Sequence, residues 1–234
     1  MPEPIILASQ SPRRRQLLQW AEVDFDVVVP STDESYPPSL AVPDVPVHIA
    51  RAKALAVHEL LHSPERLPDL SGFDRRDDGR LDRGDRRPLD RRDGAAIDRG
   101  DFSAFLAGVR RRTILAADTV VVLGEEIIGK PRDRDDAVSI LGRLAGHTHR
   151  VITGVCCKRG DKETLFSDTT LVHFHPLTGA QIAFYVDKYR PYDKAGAYAI
   201  QEWIGVVGIR GVEGDFYNVM GLPVSRVVRA LQEL

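Results

Sequence analysis

Runs of apolar residues alternate with polar breaks along this chain, and the period of each run predicts its element. Ile5 to Ala8 is a continuous apolar run, the pattern of a short buried strand. Ser11 then fits a helix N-cap and Pro12 the first helical position. That helix is expected to run to about Ala21, with Leu17 and Leu18 in the core. "FDVVVP" predicts a second strand, and "STDESYPPS" a polar loop. Val45 to Leu61 predicts a helix with Ile49, Ala52, Ala56 and Leu60 on its apolar stripe. "TILAADTVVVLGEEIIGK" reads as two strands turning at Gly124-Glu125. Asp133 to Ala145 predicts a helix whose apolar side is Ala137, Ile140, Leu141 and Leu144. "HRVITGVCCKR" and "ETLFSDTTLVHFHPL" read as strands, and "TGAQIAFYVDKY" as a helix opened by Thr178. "WIGVVGIRGV" reads as one or two strands, and "PVSRVVRALQEL" as the closing helix. Strands mixed with helices and interrupted by hairpins predict an α/β fold with a mixed sheet.

One region breaks this pattern. From Phe73 the chain reads "FDRRDDGR LDRGDRRP LDRRDGAA IDRGDFSA", a tandem repeat of period eight. Asp74 to Asp101 holds nine Asp and nine Arg. One large apolar side chain per repeat cannot offset the entropy of ordering the segment. Residues of about 63–112 are therefore expected to be a disordered or loosely helical insertion in a single domain spanning 1–234. A small repeat solenoid and a docking arm are the alternatives. Its mixed signs argue against a nucleic-acid tail.

Composition narrows the function classes. The 234 residues carry a net charge of −2, which gives no footprint for nucleic acid or an anionic membrane. The two cysteines, Cys156 and Cys157, are adjacent, so a bond between them would be strained, and they are expected to be reduced thiols of a cytoplasmic protein. No apolar run reaches the length of a membrane span, and "MPEPIILASQ" lacks the features of a signal peptide.

Several residues suit chemistry better than packing. Asp118 interrupts the apolar run "TILAADTVVVL", where a lone buried carboxylate is costly. A strand-end turn or salt bridge explains it structurally; a metal ligand or general base explains it functionally. Lys53 falls on the stripe of its helix, and Lys130 and Glu34 sit where charged residues are commonplace. Arg13, Arg14 and Arg15 crowd the first turn of the first helix, where cations oppose the helix dipole. An anion among them, with the hydroxyls of Ser9 and Ser11, relieves that conflict, and phosphate matches the guanidinium fork. "DKAGAYAIQ" and "GDFYNVMGLP" are rich in small residues that let backbone approach a ligand. P-loop and dinucleotide fingerprints are absent.

Taken together, "LASQSPRR", the Glu34 region, "ARAKA", "ILAADTVV", "GKPRD", "LAGHTHRVITGV", "DKAGAYAIQ" and "NVMGLP" resemble the Maf family of nucleoside triphosphate pyrophosphatases. The motifs fall in order over nearly all of the chain except the repeat. The resemblance implies an inosine-triphosphatase-like fold: an elongated mixed sheet with flanking helices, in two lobes around a deep cleft. It implies cleavage of a nucleoside triphosphate between the α and β phosphates, with a divalent metal, Mg or Mn. Asp118 is then the base that activates water, and Glu34 joins it in holding the metal. Ser9, Arg13, Arg14, Lys53 and Lys130 bind the phosphates. Arg13, Thr119 and Gln201 match positions tied to substrate choice, and the "DKAGAY…Q" form resembles the subgroup acting on dTTP and UTP. The subgroup acting on 7-methyl-GTP has an acid in place of Gln201. Ala199 and Asp215 depart from the family, which often has Gly and Ser there. The expected partner is the nucleotide, with a homodimer as the one macromolecular assembly and neither nucleic acid nor membrane. The competing expectation is a non-enzymatic nucleotide-binding regulator of cell division.

Overall fold

The computed structural model describes residues 3–29, 32–62 and 108–234. Strands are β1 (Ile5–Leu7), β2 (Phe25–Val27), β3 (Ile114–Leu123), β4 (Glu126–Ile128), β5 (Thr148–Arg159), β6 (Lys162–Phe174) and β7 (Ile209–Glu213). Helices are α1 (Pro12–Trp20), α2 (Val45–His62), α3 (Arg134–Leu144), α4 (Gly179–Tyr189), α5 (Trp203–Gly208), α6 (Phe216–Met220) and α7 (Val224–Glu233). Among the described residues the strands form one sheet in the order β2-β1-β3-β5-β6-β7, with β4 paired to β3. β1 runs parallel to β2 and β3, and the remaining pairs are antiparallel. The expected α/β fold with a mixed sheet is thus the fold observed.

Apolar residues on the two sheet faces separate into clusters. Leu7, Leu115, Ala117, Val151 and Val155 join Leu17 and Leu18 of α1, Leu141 of α3 and Tyr185 of α4 on one face. On the other face α2 lays Ala50, Ala54, Val57 and Leu61 on Ile6, Ile114, Ala116 and Cys156, while its start packs Val45 and Ile49 on Val120 and Ile152. Cys156 and Cys157 are both free, buried and divided between the two faces.

Three expectations are corrected. The buried stripe of α2 is Ile49, Ala50, Ala54, Val57 and Leu61, whereas Ala52, Ala56 and Leu60 are only half-buried. Alanine lies on several sides of this helix, so its apolar period leaves the rotation open, and contact with the sheet decides it. Trp203–Gly208 is helical, and only Ile209–Glu213 forms a strand. A short β-branched run carries no period that separates the two states. Ser11 takes the N-cap position of α1, but its side chain makes no cap bond.

The octapeptide repeat lies outside the described residues. The chain re-enters at Gly108, and the last residues of the predicted insertion pack on the core: Val109 is buried with the α2 cluster, and Arg110 Nε donates to Leu61 O at 2.8 Å. Arg112 ties the same segment to Asp26 at 2.6 Å and to Ile5 O at 3.1 Å.

Candidate active site

The site begins as a fork in the sheet. One edge of β3 is paired with β5 from Ile114 to Val122. On its other edge, β1 pairs at Ile114 and Leu115, and β4 pairs only from Val121 to Leu123. Between them, Ala116 to Val120 has no strand neighbour on that edge among the described residues. A cleft of about 510 Å³ opens at this gap. Ser9, Ser11, Arg13, Arg14, Glu34, Lys53, Asp118, Thr119, Lys130 and Gln201 all line it, whereas Arg15, the third arginine of the first helical turn, does not. They come from the end of β1, α1, the polar loop, α2, β3, the end of β4 and the loop before α5.

Lys53 reaches the cleft because α2 lies almost on the sheet. Gly154 of β5 faces Asp118 in register, and a Cβ there would come 2.1 Å from Val47 N of α2. Only glycine permits that approach. The Lys53 ammonium then stands 2.8 Å from Asp118 Oδ1 and 2.8 Å from Glu34 Oε1. Two carboxylates thus converge on one cation. Hydrogen bonding to Lys53 holds the Glu34 carboxyl below its ordinary range, against the cost of partial burial, and the charges of Lys53, Lys130 and Arg14 add to it. Among the described residues no group of three or more His, Cys, Asp or Glu side chains is arranged to hold a metal. Two carboxylate donors suit a hard divalent cation that completes its shell with water and phosphate oxygens, as Mg²⁺ does, rather than a preformed protein cage.

Arg14 is a buried brace. Its Nε donates to Gly221 O at 2.8 Å, and its two Nη atoms donate to Ser9 Oγ and Thr119 Oγ1, each at 3.0 Å. It ties α1 to β3 and to the turn after α6, where Gly221 adopts a φ of 115°. Asn218 fixes that turn from behind, donating to Val151 O at 3.1 Å and Thr170 Oγ1 at 3.0 Å. Burial lowers the Arg14 pKa, while the Asp118 charge opposes that shift. Arg13 projects across the mouth to Asp193 Oδ2 at 3.3 Å, and Lys130 is exposed at the rim. The lining holds five cationic side chains, Arg13, Arg14, Lys53, Lys130 and Lys194, against three carboxylates, Glu34, Asp118 and Asp193, so the cleft favours an anion.

The opposite wall is Lys194, Ala195, Tyr198, Ala199 and Gln201. Its tight turn, Ala195–Ala197, places Gly196 at φ 70° and Ala197 at φ 57°, in the left-handed region that costs a non-glycine residue. Gly196 N–H donates to Gly129 O at 3.1 Å, which anchors the turn to the end of β4. Tyr198 OH pairs with the buried His149 Nε2 at 2.7 Å, and burial pushes the imidazole down to about 4. Reading the residues for chemistry missed Lys194 and Tyr198. The available signal was a lysine set among glycine and alanine; Tyr198 packs in the core beside Phe174, so its type alone gave no signal.

Residues 4–234 match the family described as Maf-like protein. The dTTP/UTP pyrophosphatase of Parabacteroides distasonis is 38% identical over 229 residues, covering 97% of this chain and 94% of the relative. The proteins of the same name from Cytophaga hutchinsonii and Bacteroides thetaiotaomicron are each 36% identical over 98% of this chain, covering 84% and 95% of themselves.

Proposed function

The chain belongs to the family of Maf-like proteins, and from that premise and its cleft we propose that it is a nucleoside triphosphate pyrophosphatase acting on dTTP and UTP. One observation carries the reading: Asp118 and Glu34 converge on Lys53 at the fork of the sheet, inside a cleft whose lining holds more cations than carboxylates.

The triphosphate lies along the cationic side. Arg13, Lys53 and Lys130 neutralise its oxygens, with Arg14 and Ser9 behind them. Asp118 orients a water and takes its proton, while Lys53 keeps one of its oxygens in place. The water oxygen bonds to the α phosphorus, the bond from that phosphorus to the α–β bridging oxygen breaks, and pyrophosphate departs with the bridging oxygen. Glu34 and Asp118 are the residues that would hold a divalent cation, which supplies charge neutralisation on the phosphates. Positioning and electrostatics therefore carry most of the rate.

Gln201 faces the base. Its amide offers a donor and an acceptor, which thymine and uracil match with a carbonyl and an N–H. Arg13 and Thr119 complete the set tied to substrate choice. The octapeptide repeat is an insertion within a single domain, and the enzyme works on free nucleotide in the cytoplasm, as a homodimer. Among the described residues, no helix is long and apolar enough to cross a membrane.

The test is pyrophosphate release over dTTP, UTP, dCTP and purine triphosphates with Mg²⁺ or Mn²⁺. Release from dTTP and UTP together with the monophosphate is expected. Tight nucleotide binding without any release would instead support the non-enzymatic regulator, which has no use for a carboxylate at the floor of the cleft.

A further inference from the structure

Gln201 is a surface-exposed side chain on a loop, yet reading a base requires a fixed position. The structure shows what fixes it. Tyr185 of α4 is fully buried, at 0% exposure, and its hydroxyl lies beneath the loop. That hydroxyl accepts the Ala199 N–H at 3.1 Å and donates to Glu202 Oε2. One phenol therefore grips the chain on both sides of Gln201, two residues before it and one residue after. Phenylalanine would fill the same core volume, so packing does not call for the hydroxyl. The loop is closed from within as well: Glu202 N–H donates to Ala199 O at 3.1 Å, and a Cβ on Gly205 would lie 1.7 Å from Ile200 O. The second Glu202 oxygen faces Lys194 Nζ at 3.7 Å, Lys194 holds Asp193 at 2.7 Å, and Asp193 meets Arg13 at 3.3 Å.

We propose that Tyr185 and Glu202 are positioning residues for base selection: they hold Gln201 in register with Arg13 across the cleft, through Lys194 and Asp193. The inference rests on the reading of Gln201 given above. It deepens that reading by naming residues that set the pyrimidine preference without touching the nucleotide.

The experiment compares kcat/KM for dTTP with that for a purine triphosphate in four variants. Gln201→Ala tests the reading itself. Tyr185→Phe removes both hydroxyl bonds, Glu202→Ala removes the phenol's acceptor, and Glu202→Gln keeps an acceptor while removing the charge. Tyr185→Phe and Glu202→Ala are expected to lower the dTTP-to-purine ratio about tenfold, the order of one lost buried hydrogen bond, through KM and not kcat. Glu202→Gln is expected to retain most of the ratio. Glu202→Ala alters a partly exposed site, so it serves where Tyr185→Phe fails to fold. If Gln201→Ala lowers the ratio while Tyr185→Phe and Glu202→Ala leave it unchanged, the positioning role is overturned and the reading of Gln201 stands. An equal fall in purine and pyrimidine kcat alongside a lower Tm also overturns it, since that is the mark of a structural role alone. If Gln201→Ala leaves the ratio unchanged, the reading of Gln201 fails and the positioning role falls with it.

Discussion

The two walls of the cleft are held in different ways. On the α2 side, Glu34, Lys53 and Asp118 meet in ion pairs of 2.8 Å, and long side chains reach in from separate elements. On the Lys194–Gln201 side, the backbone itself forms the wall, with a left-handed Ala197 and a neutral His149–Tyr198 pair behind it. The first arrangement suits a mobile, highly charged group, because ion pairs can exchange partners when phosphate and cation arrive. The second suits a flat, neutral group, because its shape must be set before the ligand comes. The difference supports the proposed placement of the phosphates at one wall and the base at the other.

The assignment is tested most severely at Asp118. Asp118→Asn keeps an oxygen for Lys53 but can neither take a proton nor bind a cation well. Turnover of dTTP is expected to fall by at least about 10²-fold, the usual worth of a general base, with a cooperative melt retained. Pyrophosphate release within tenfold of the parent would remove Asp118 from the chemistry.

The second prediction separates the walls by pH. His149 is neutral in the folded protein down to about 4, because it is buried, whereas an unfolded histidine protonates near 6.5. Between these values the unfolded state binds more protons, so stability falls as pH falls from about 6.5 to about 4. The full loss is about 3 kcal/mol, from the size of the shift. Glu34 is also shifted down, by its hydrogen bond to Lys53, so its contribution to stability is present above the ordinary carboxylate range and is lost only as the pH falls below that range. Urea melts at pH 7 and pH 4.5 measure this, with His149→Gln as the control that accepts from Tyr198 but does not titrate. Equal loss of stability in both proteins would show that His149 is not the acid-sensitive element.

A smaller effect is expected at the base. Gln201→Glu keeps acceptors but loses the amide donor to a base carbonyl, which leaves that oxygen unpaired at a cost of roughly 1–3 kcal/mol. The kcat/KM for dTTP and UTP should drop accordingly against a purine triphosphate, while Asp118 chemistry continues. An unchanged ratio means that Gln201 does not read the base.

The charged wall was the more legible of the two in the sequence, for a physical reason. A carboxylate in an apolar strand and three arginines in a first helical turn each cost free energy locally, and such conflicts show without any coordinates. The other wall hides its conflict, the left-handed Ala197, because nothing in a Gly/Ala-rich loop shows which residue takes the positive φ. Tyr185 looks like an ordinary core residue at helical spacing, and Lys194 and Tyr198 sit in a loop with no period at all. Their roles depend on one hydroxyl under Ala199 and one imidazole behind Tyr198, contacts between residues far apart in sequence. The same limit explains the elements. The strands and most helices follow from their apolar period, but α5 is short and β-branched, and the rotation of α2 is set by Gly154, a residue on another element.

The smallest effect is expected from removing the octapeptide repeat, which we propose is dispensable to both walls. The ends of the described chain on either side of it are already stitched together: Arg110 Nε donates to Leu61 O at 2.8 Å, and Val109 packs in the α2 cluster with Leu61. A short linker can therefore replace the residues between without pulling on α2 or Lys53. Loop length enters the closure entropy only logarithmically, about 0.6 kcal/mol per doubling, and shortening the loop works in the favourable direction. Replacing Ser71 to Ser103 with a brief Gly/Ser linker should shift stability by less than about 1 kcal/mol, the scale of one or two such doublings. Pyrophosphate release from dTTP and the dTTP-to-purine ratio should both stay near those of the parent. Loss of the cooperative melt would make the repeat part of the fold. A large rise in KM with the melt intact would place its arginines among the groups that meet the triphosphate, and the charged wall would then extend beyond the cleft described.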